Sequence, residues 1–457
     1  VHHLRLDHIF VRQVHRHHCS GLHQTGNSFH IGRIANLLNQ HLNGITTGCL
    51  GSSLSTPLAI LHGLLDFLAD HAALLITAVL RRIPVGMGLY TCGADPDTLQ
   101  EACQSCTAKS AANQGEMREF AKKNGLKFHF DTECGVCHQV MPEAGVIYPG
   151  MIIVATDSHT TTHGAFGALG TGCGATDMAC ILMTGEMWFR VPEIIEIRLE
   201  GKPQPGVYPK DVILHVLGQI RADGAIYKCI DFTGSYVESL DVSGRMTICN
   251  MAVEMGAKTA YMQPNQDVLD YVAPRAVRPY EVFHTDPDFV YTESHVFDVS
   301  ELTPQLACPH SVENVHPLPT VIEGKEISID QGYIGSCTGG RTCDLQEAAR
   351  ILKGKHIPKY TRLVIVPASA QVMKECMADG TLLTLMEAGA TITSPGCGAC
   401  LGAHEGVIAP GERCITSTNR NFPGRMGSTG AEIYLASPAT VAASILNGRI
   451  TDPRDYL

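Results

Sequence analysis

Short apolar runs that end in polar, glycine-rich loops recur along most of the chain, and a stretch with helical spacing follows each loop. Four of these loops carry reactive side chains, namely Asp157–His159, Cys337, Cys397 with Cys400, and Asn419–Arg425. The strands predicted before them are Met151–Thr156, Ile327–Ile334, Ala390–Thr393 and Cys414–Ser417. This alternation of strands and helices predicts an α/β fold around mostly parallel sheets, in which loops at strand ends form the sites.

Two helices have recognisable features in the sequence. One is predicted around Met117–Asn124, and another follows the predicted strand Glu432–Ala436. Ser437 and Pro438 suit the N-cap and first turn of the second helix, and Gly448 suits its end.

Residues 1–105 read differently, because they are rich in histidine and contain few clear strand-loop-helix units. Their most apolar stretch, Leu58–Leu80, is interrupted by titratable side chains. These are His62, Asp66, Asp70 and His71. Burying them in hydrocarbon would be costly, so the stretch predicts a helix of a water-soluble protein and not a membrane span.

Charge and cysteine content exclude some classes of function and indicate the compartment. A net charge of -11 over 457 residues argues against general nucleic-acid binding, which needs an excess of Lys and Arg on one face. The chain has 18 cysteines, is too long to need disulfides and shows no signal sequence, so a reducing, cytoplasmic setting is predicted. Thiolates are then available for a metal.

Cys337, Cys397 and Cys400 are the strongest metal candidates, because all three lie in glycine-rich loops and the last two form a C-x-x-C pair. An electron-transfer 4Fe-4S cluster takes four cysteines, whereas three would leave one iron open to substrate. The alternative is that they are buried free cysteines. Two further C-x-x-C pairs are compatible with a rival zinc site, Cys103 with Cys106 and Cys134 with Cys137.

Several other side chains are candidates for acid-base chemistry. Asp157, Ser158 and His159 share one strand-end loop and could relay protons, although helix capping by Asp157 or Ser158 is the alternative. His138 and Glu254 stand in largely apolar sequence, where an ionisable group is costly unless it is used or paired.

The sequence contains one candidate motif for binding a carboxylate ligand and no motif for binding a nucleotide. Arg420 and Arg425 lie in a Gly/Pro loop and could clamp a carboxylate by bidentate hydrogen bonds, with a surface ion pair as the alternative. The glycine run Gly167–Gly174 does not match G-x-G-x-x-G directly after a strand, and the chain has no phosphate-loop motif. A nicotinamide enzyme and a phosphate-loop NTPase are therefore unsupported.

Together these loops resemble the aconitase superfamily, and within it the separate large subunits of 3-isopropylmalate dehydratase and homoaconitase. The resemblance covers about residues 107–457 and rests on four ordered motifs, Ala155–Gly164 with Gly167–Asp177, Ile334–Arg341, Gly396–Gly402 and Asn419–Arg425. It implies aconitase-like, three-layer α/β/α domains with a cluster between domains. The expected organisation is an atypical segment at 1–105, aconitase-like domains over 106–300, and an aconitase-like domain carrying the cluster cysteines over 301–457.

The resemblance also implies roles for individual side chains. Ligands of a 4Fe-4S cluster would be Cys337, Cys397 and Cys400, and the fourth iron would take the substrate. The catalytic hydrogen-bond network around the iron-bound hydroxyl would comprise His138, Asp157, His159 and Glu254. Contacts to substrate and cluster would come from Ser158, Asn419, Arg420 and Arg425.

One departure from the family pattern concerns the first domain. The family places an Asp-His pair, used in acid catalysis and followed by a proline, just before the stretch that here begins at Thr107. Leu89–Pro96 stands in its place and has no such pair. Because the resemblance begins abruptly, we interpret residues 1–105 as a shifted or mis-assembled reading frame. An inactive product of a damaged gene is therefore a third alternative for this polypeptide.

The implied function is that of the large subunit of 3-isopropylmalate dehydratase, a cytoplasmic hydro-lyase that converts 2-isopropylmalate to 3-isopropylmalate in leucine biosynthesis. Homoaconitase or another alkylmalate hydro-lyase is the alternative, and an RNA-binding apoprotein is the alternative of another class. A small subunit with the swivel domain is expected, because the chain stops soon after the helix at Ser437–Leu446 and its loops supply no evident base. The substrate would be a small hydroxy-dicarboxylate or tricarboxylate, with no nucleic-acid or membrane partner.

Overall fold

The structure is a computed structural model that describes residues 88–90, 108–131, 135–402 and 404–457. The predicted helix at Leu58–Leu80, and nearly all of the atypical segment at 1–105, therefore lie outside the described residues. Within the described ranges, no helix is both long and apolar enough to cross a membrane.

Helices occupy much of the described chain. The α-helices are α1 Ala108–Asn124, α2 Cys137–Glu143, α3 Ala175–Thr184, α4 Pro209–Ile220, α5 Ser235–Ser239, α6 Val242–Met251, α7 Gln266–Val272, α8 Leu318–Ile322, α9 Ser336–Gly339, α10 Thr342–Leu352, α11 Ala370–Ala378, α12 Thr381–Glu387 and α13 Pro438–Asn447. Short 3₁₀ helices span Ser158–Phe166, Ala252–Met255, Gly398–Leu401 and Pro453–Tyr456.

The strands form four sheets within the described residues. They are β1 Gly88–Tyr90, β2 Phe128–Phe130, β3 Ile152–Ala155, β4 Leu169–Gly172, β5 Ile194–Glu200, β6 Cys229–Thr233, β7 Thr259–Tyr261, β8 Glu293–Asp298, β9 Gln305–Ala307, β10 Val315–Pro317, β11 Gln331–Ile334, β12 Arg362–Ile365, β13 Thr391–Ile392, β14 Arg413–Thr416 and β15 Glu432–Leu435. β1 pairs with β2 and β3 pairs with β4, both in parallel.

A parallel sheet of four strands, in the order β7-β6-β5-β8, carries one core. Alternate side chains of β5, including Ile195, Ile197 and Leu199, are fully buried. The buried face of α4 belongs to the same cluster, as do residues of α6. Both helices also carry polar side chains that reach the candidate site.

A second, larger sheet runs in the order β10-β9-β15-β14-β11-β12-β13. β11 is parallel to β12 and β14, β12 to β13, and β14 to β15, whereas β9 and β10 are antiparallel additions at one end. Every residue of β11 is buried, which suits a central parallel strand covered by helices on both faces. Because parallel strands end at one edge, the loops after β11, β13 and β14 meet there.

The predicted strands agree with the structure, except that β11 is shorter than Ile327–Ile334. The first part of that run leaves the sheet, because the Ile329 amide donates to Gly448 O at 2.9 Å and Ser328 bridges to Arg449. The predicted helix end is confirmed, since Gly448 closes α13 in the left-handed conformation. α1 extends the helical run predicted around Met117–Asn124 back to Ala108.

Candidate active site

The three candidate cluster cysteines converge at the carboxyl ends of the large sheet. Cys337 lies on the single turn α9 after β11, and Cys397 and Cys400 follow β13. Cys337 packs beside Cys397, and its Sγ lies 3.5 Å from Asn419 Nδ2. Cys400 Sγ lies 3.6 Å from Asn419 Oδ1, so a single amide separates two of the thiols.

The backbone of the C-x-x-C loop depends on a glycine. Gly398 adopts a φ of 52°, in the left-handed region that glycine enters without steric cost. A Cβ there would stand 2.7 Å from the hydroxyl of the buried Tyr333. That hydroxyl donates to Cys397 O at 2.6 Å, so Tyr333 holds the backbone of the loop in place.

The chemistry of the donor set fits an iron-sulfur cluster. Asn250 Nδ2 donates to Cys337 Sγ at 3.0 Å, and Arg425 Nη2 lies 3.9 Å from Cys400 Sγ. Hydrogen bonds to sulfur stabilise thiolates and tune clusters. Burial raises the pKa of the Cys337 thiol, which therefore ionises readily only with a metal ion or other positive charge nearby.

A single-ion site has a different geometry. Among the described residues, the one group able to hold a single ion is Cys137, His138 and Asp157, whose ligand atoms lie within 4.8 Å of one another. The Sγ atoms of Cys337, Cys397 and Cys400 do not form such a single-ion group. This suits a cluster, in which each thiolate binds a different iron. Of the rival zinc cysteines, Cys103, Cys106 and Cys134 lie outside the described residues.

Asp157 links a histidine to a helix start. His138 Nε2 lies 3.0 Å from Asp157 Oδ1, which also accepts from the His159 amide at 2.7 Å as the N-cap of the 3₁₀ helix. Capping and network roles therefore coexist in this one carboxylate. Although burial opposes ionisation, His138 and His159 hold the pKa of Asp157 well below its usual value. Asp157 is thus an anion at neutral pH.

Glu254 forms the second carboxylate of the site. His159 Nε2 lies 2.7 Å from its Oε1, and Arg420 Nε donates to both oxygens at 2.8 and 3.1 Å. Burial opposes ionisation here too, yet His159 and Arg420 lower the pKa of Glu254. Arg420 Nη2 also donates to Ser158 Oγ at 3.1 Å. Arg420 is therefore held by the buried Glu254 and the half-buried Ser158, and its ion pair with Glu254 is not a surface one.

Arg425 differs from Arg420 in its hydrogen bonding. Its Nε is buried and has no hydrogen-bond partner among the described residues. Its Nη2 is directed at Cys400 Sγ. A buried guanidinium donor without an acceptor is costly, so this group is suited to receive an anionic ligand.

Sequence reasoning did not single out Asn250 and His163. Asn250 donates to both Cys337 Sγ and Thr162 Oγ1, and it stands four residues before Glu254. That spacing on a helical stretch was the available signal, because residues four apart share a face. His163 Nε2 lies 3.5 Å from His138 Nδ1, and burial followed by the charge of His138 lowers its pKa well below the usual value.

The site residues thus come from six separate parts of the chain and meet in one place. Sequence comparison gives the family to which this arrangement belongs. The family model of the aconitase family (aconitate hydratase) matches residues 90–448, which is well over half of the chain. The chain belongs to the aconitase family.

Curated members of the aconitase family are closely similar to this chain. The probable methanogen homoaconitase large subunit of Methanothermobacter thermautotrophicus is 51% identical over 348 residues, covering 76% of this chain and 81% of that protein. The 3-isopropylmalate dehydratase large subunit 1 of Methanopyrus kandleri is 51% identical over 351 residues, covering 77% and 83%. The 3-isopropylmalate dehydratase large subunit of Aquifex aeolicus is 45% identical over 354 residues, covering 76% and 81%.

These matches confirm three predictions from the sequence: the aconitase family with its dehydratase and homoaconitase branch, the α/β fold, and an enzyme of the hydro-lyase class. A solved structure, Thermococcus kodakaraensis aconitase X in its holo-form, aligns with a TM-score of 0.38 at 13% identity over 69% of this chain and 72% of that chain. At that score the likeness carries no argument about the site.

Proposed function

We propose that this chain is the large subunit of 3-isopropylmalate dehydratase and exchanges a hydroxyl between adjacent carbons of 2-isopropylmalate. Relatives that carry this name are 45–51% identical to the chain. The observation that carries the proposal is the placement of three loop thiols beside two histidine-carboxylate pairs, His138 with Asp157 and His159 with Glu254. Homoaconitase is the second candidate, because a relative so named is also 51% identical.

Cys337, Cys397 and Cys400 would hold a 4Fe-4S cluster. When bound, the cluster would supply a Lewis acid for the substrate hydroxyl. Asn250 and Arg425 would stabilise the thiolates through their N–H groups. In this proposal the ligands belong to a domain at 301–457, and the acid-base residues belong to domains at 106–300.

The chain's own side chains would manage the proton that leaves with the hydroxyl. The anion Asp157 orients His138, and the anion Glu254 orients His159. Either imidazole can hold a proton at the ring nitrogen that its carboxylate leaves free.

The arginines would bind the substrate carboxylates. Arg425 offers an unpartnered Nε, and its fork geometry matches a carboxylate. Arg420 is fixed by Glu254 and Ser158, so it would present its remaining N–H groups without a large loss of side-chain entropy.

Removal of the carbon-bound proton requires a base as well. Asp157 and Glu254, the carboxylates of the site, are already engaged by histidine and arginine. We therefore propose that a separate small subunit supplies the base and closes the cleft. The names of the relatives, which are large subunits, support such a partner.

Turnover by the full chain, with residues 1–105 corrected if they are mis-framed, tests this function, both alone and mixed with a family small subunit. Formation of the unsaturated intermediate would be followed by ultraviolet absorbance with 2-isopropylmalate and, separately, with homocitrate. Faster conversion of 2-isopropylmalate by the mixture supports the proposal. A preference for homocitrate would favour homoaconitase, and full activity of the isolated chain would contradict the need for a small subunit.

The visible absorption of the cluster provides an independent test of the three cysteine ligands. After anaerobic reconstitution, Cys397→Ser should lose the visible cluster absorption. Cys376→Ser, at a buried free cysteine of α11, is the matched control and should retain it. The reverse result would contradict the ligand assignment.

A further inference from the structure

Lys210 is a buried lysine in an unfavourable place. It is the second residue of α4 and is only 2% exposed. The N-terminus of a helix carries partial positive charge, which disfavours a cation. Burial of an ammonium group away from water is costly as well. A compensating interaction is therefore required.

The hydrogen bonds of Lys210 do not provide the missing negative charge. Its Nζ donates to Thr418 O at 2.7 Å and lies 3.5 Å from Met251 Sδ. Both acceptors are neutral, and Lys210 forms no ion pair with a carboxylate among the described residues. The first of these bonds joins α4 to the loop after β14.

The charges that favour the ammonium belong to the candidate site. Burial lowers the pKa of Lys210 to about 8, and the charges that oppose this fall are, in order, those of Cys337, Glu254, Cys400 and Asp344. Two of these four are cluster cysteines, and both become thiolates on binding iron. Lys210 therefore lies within electrostatic reach of the cluster ligands without touching them.

The loop that Lys210 holds also contacts the thiols. Thr418 immediately precedes Asn419, whose amide lies between Cys337 Sγ and Cys400 Sγ. Movement of the Thr418 carbonyl would be transmitted directly to that amide. The ammonium is thus placed to act both by charge and by fixing the backbone.

We propose that Lys210 is a positioning residue, which places a positive charge near the cluster cysteines and fixes the loop that carries Asn419 and Arg420. The inference rests on the proposed function, since it assumes a cluster on the three thiolates. Three thiolates outweigh the positive charge of an oxidised 4Fe-4S core, so the holoenzyme has an excess of buried negative charge for Lys210 to balance.

Two substitutions separate the charge from the hydrogen bond. Lys210→Met removes both, whereas Lys210→Gln removes the charge and keeps an N–H donor for Thr418 O. The measurement is the midpoint potential of the cluster in the reconstituted full chain, followed by electron paramagnetic resonance. Because loss of a positive charge disfavours the reduced cluster, we expect the ratio of reduced to oxidised cluster at a fixed potential to fall about tenfold in both variants, which is about 59 mV for one electron.

Lys355→Met is the matched control. Lys355 Nζ also donates to a backbone carbonyl, Ile351 O at 2.9 Å, and the change in net charge is the same. Lys355 is exposed, and its ammonium group contacts Ile351 and Tyr456, so its replacement should leave the potential unchanged. An equal shift in this control would show a general charge effect and overturn the inference.

The remaining outcomes are distinguishable. A wild-type chain that binds no cluster would contradict the proposed function, and Lys210 would then balance nothing. A wild-type cluster with unchanged potential in both variants would overturn the inference while leaving the function intact. A shift in Lys210→Met alone would overturn the charge role. Near-UV circular dichroism of the apoproteins reports folding, and loss of the fold in both variants would make Lys210 structural instead.

Discussion

Replacement of Glu254 by Gln should destabilise the fold strongly, because it removes one partner of a buried ion pair. The side chain of Glu254 is 3% exposed and that of Arg420 is 22% exposed. Removing one partner of a buried pair costs about 3–5 kcal/mol. Since Arg420 keeps partial access to water and its bond to Ser158, we expect the lower end, about 3 kcal/mol.

The pH dependence gives this prediction a second test. The pKa of Glu254 in the folded chain lies below its ordinary value of 4.5, so its ionised form stabilises the folded state. The difference in unfolding free energy between wild type and Glu254→Gln should therefore be complete above about pH 4.5. It should disappear as the pH falls through the lower pKa of the folded chain.

The assay is urea unfolding of the reduced apoprotein, measured from pH 3 to pH 7. Glu313→Gln is the control, because Glu313 also accepts from an arginine, Arg221 at 2.7 Å, but that arginine is 60% exposed. A surface pair of this kind contributes about 0.5 kcal/mol. Equal losses in the two variants, or a loss in Glu254→Gln that persists at the lowest pH, would refute the reasoning.

Three further predictions follow from other contacts. Arg425→Lys keeps the charge but loses the buried Nε. Turnover of the complete enzyme should therefore fall about 100-fold while the iron content is unchanged. A parallel loss of iron would show that Arg425 is structural. Burial raises the pKa of Asp231 to about 6. The folded chain therefore binds this proton more tightly than the unfolded chain does. As a result, Asp231 lowers the stability of the fold as the pH rises from about 4 to about 6. Asp231→Asn should therefore gain about 2 kcal/mol in urea unfolding at pH 7 relative to pH 4, and a gain independent of pH would contradict this. Gly398→Ala should reduce iron uptake, because its Cβ would stand 2.7 Å from the Tyr333 hydroxyl, whereas Gly396→Ala, with open space around its Cβ, should bind iron normally.

The sequence predicted the parts of the fold that apolar patterning determines. The strand before the Asp157 loop was predictable because Ile152–Ala155 is a continuous apolar run bounded by a polar loop. The 3₁₀ helix Ser158–Phe166 and the turn α9 were expected to be loops. Both are rich in Gly, Ser and Thr, whose side chains bond to the nearby backbone and leave no apolar period to detect.

The candidate site was predictable where motifs preserve order along the chain, and less so where it depends on tertiary packing. The cysteines and arginines were recognised from their ordered loops. Asn250 and Lys210 were not, because each helix carries several polar residues and nothing in the sequence distinguishes these two from the others. Tertiary packing gives them their neighbours, since Lys210 donates to Thr418 O across 208 positions of the chain and Asn250 donates to Cys337 Sγ across 87.

The wide separation of the contacting residues has a consequence for how the protein matures. Ser158 and Arg420 meet across 262 positions of the chain, and Glu254 and Arg420 across 166. We expect contacts between residues so far apart in sequence to form late in folding, because closing a long loop costs entropy before the contact can stabilise it. We therefore expect iron to bind after these contacts have formed. Any substitution that slows closure of the β14 loop should lower the metal content of newly made protein, even at a position remote from every thiol.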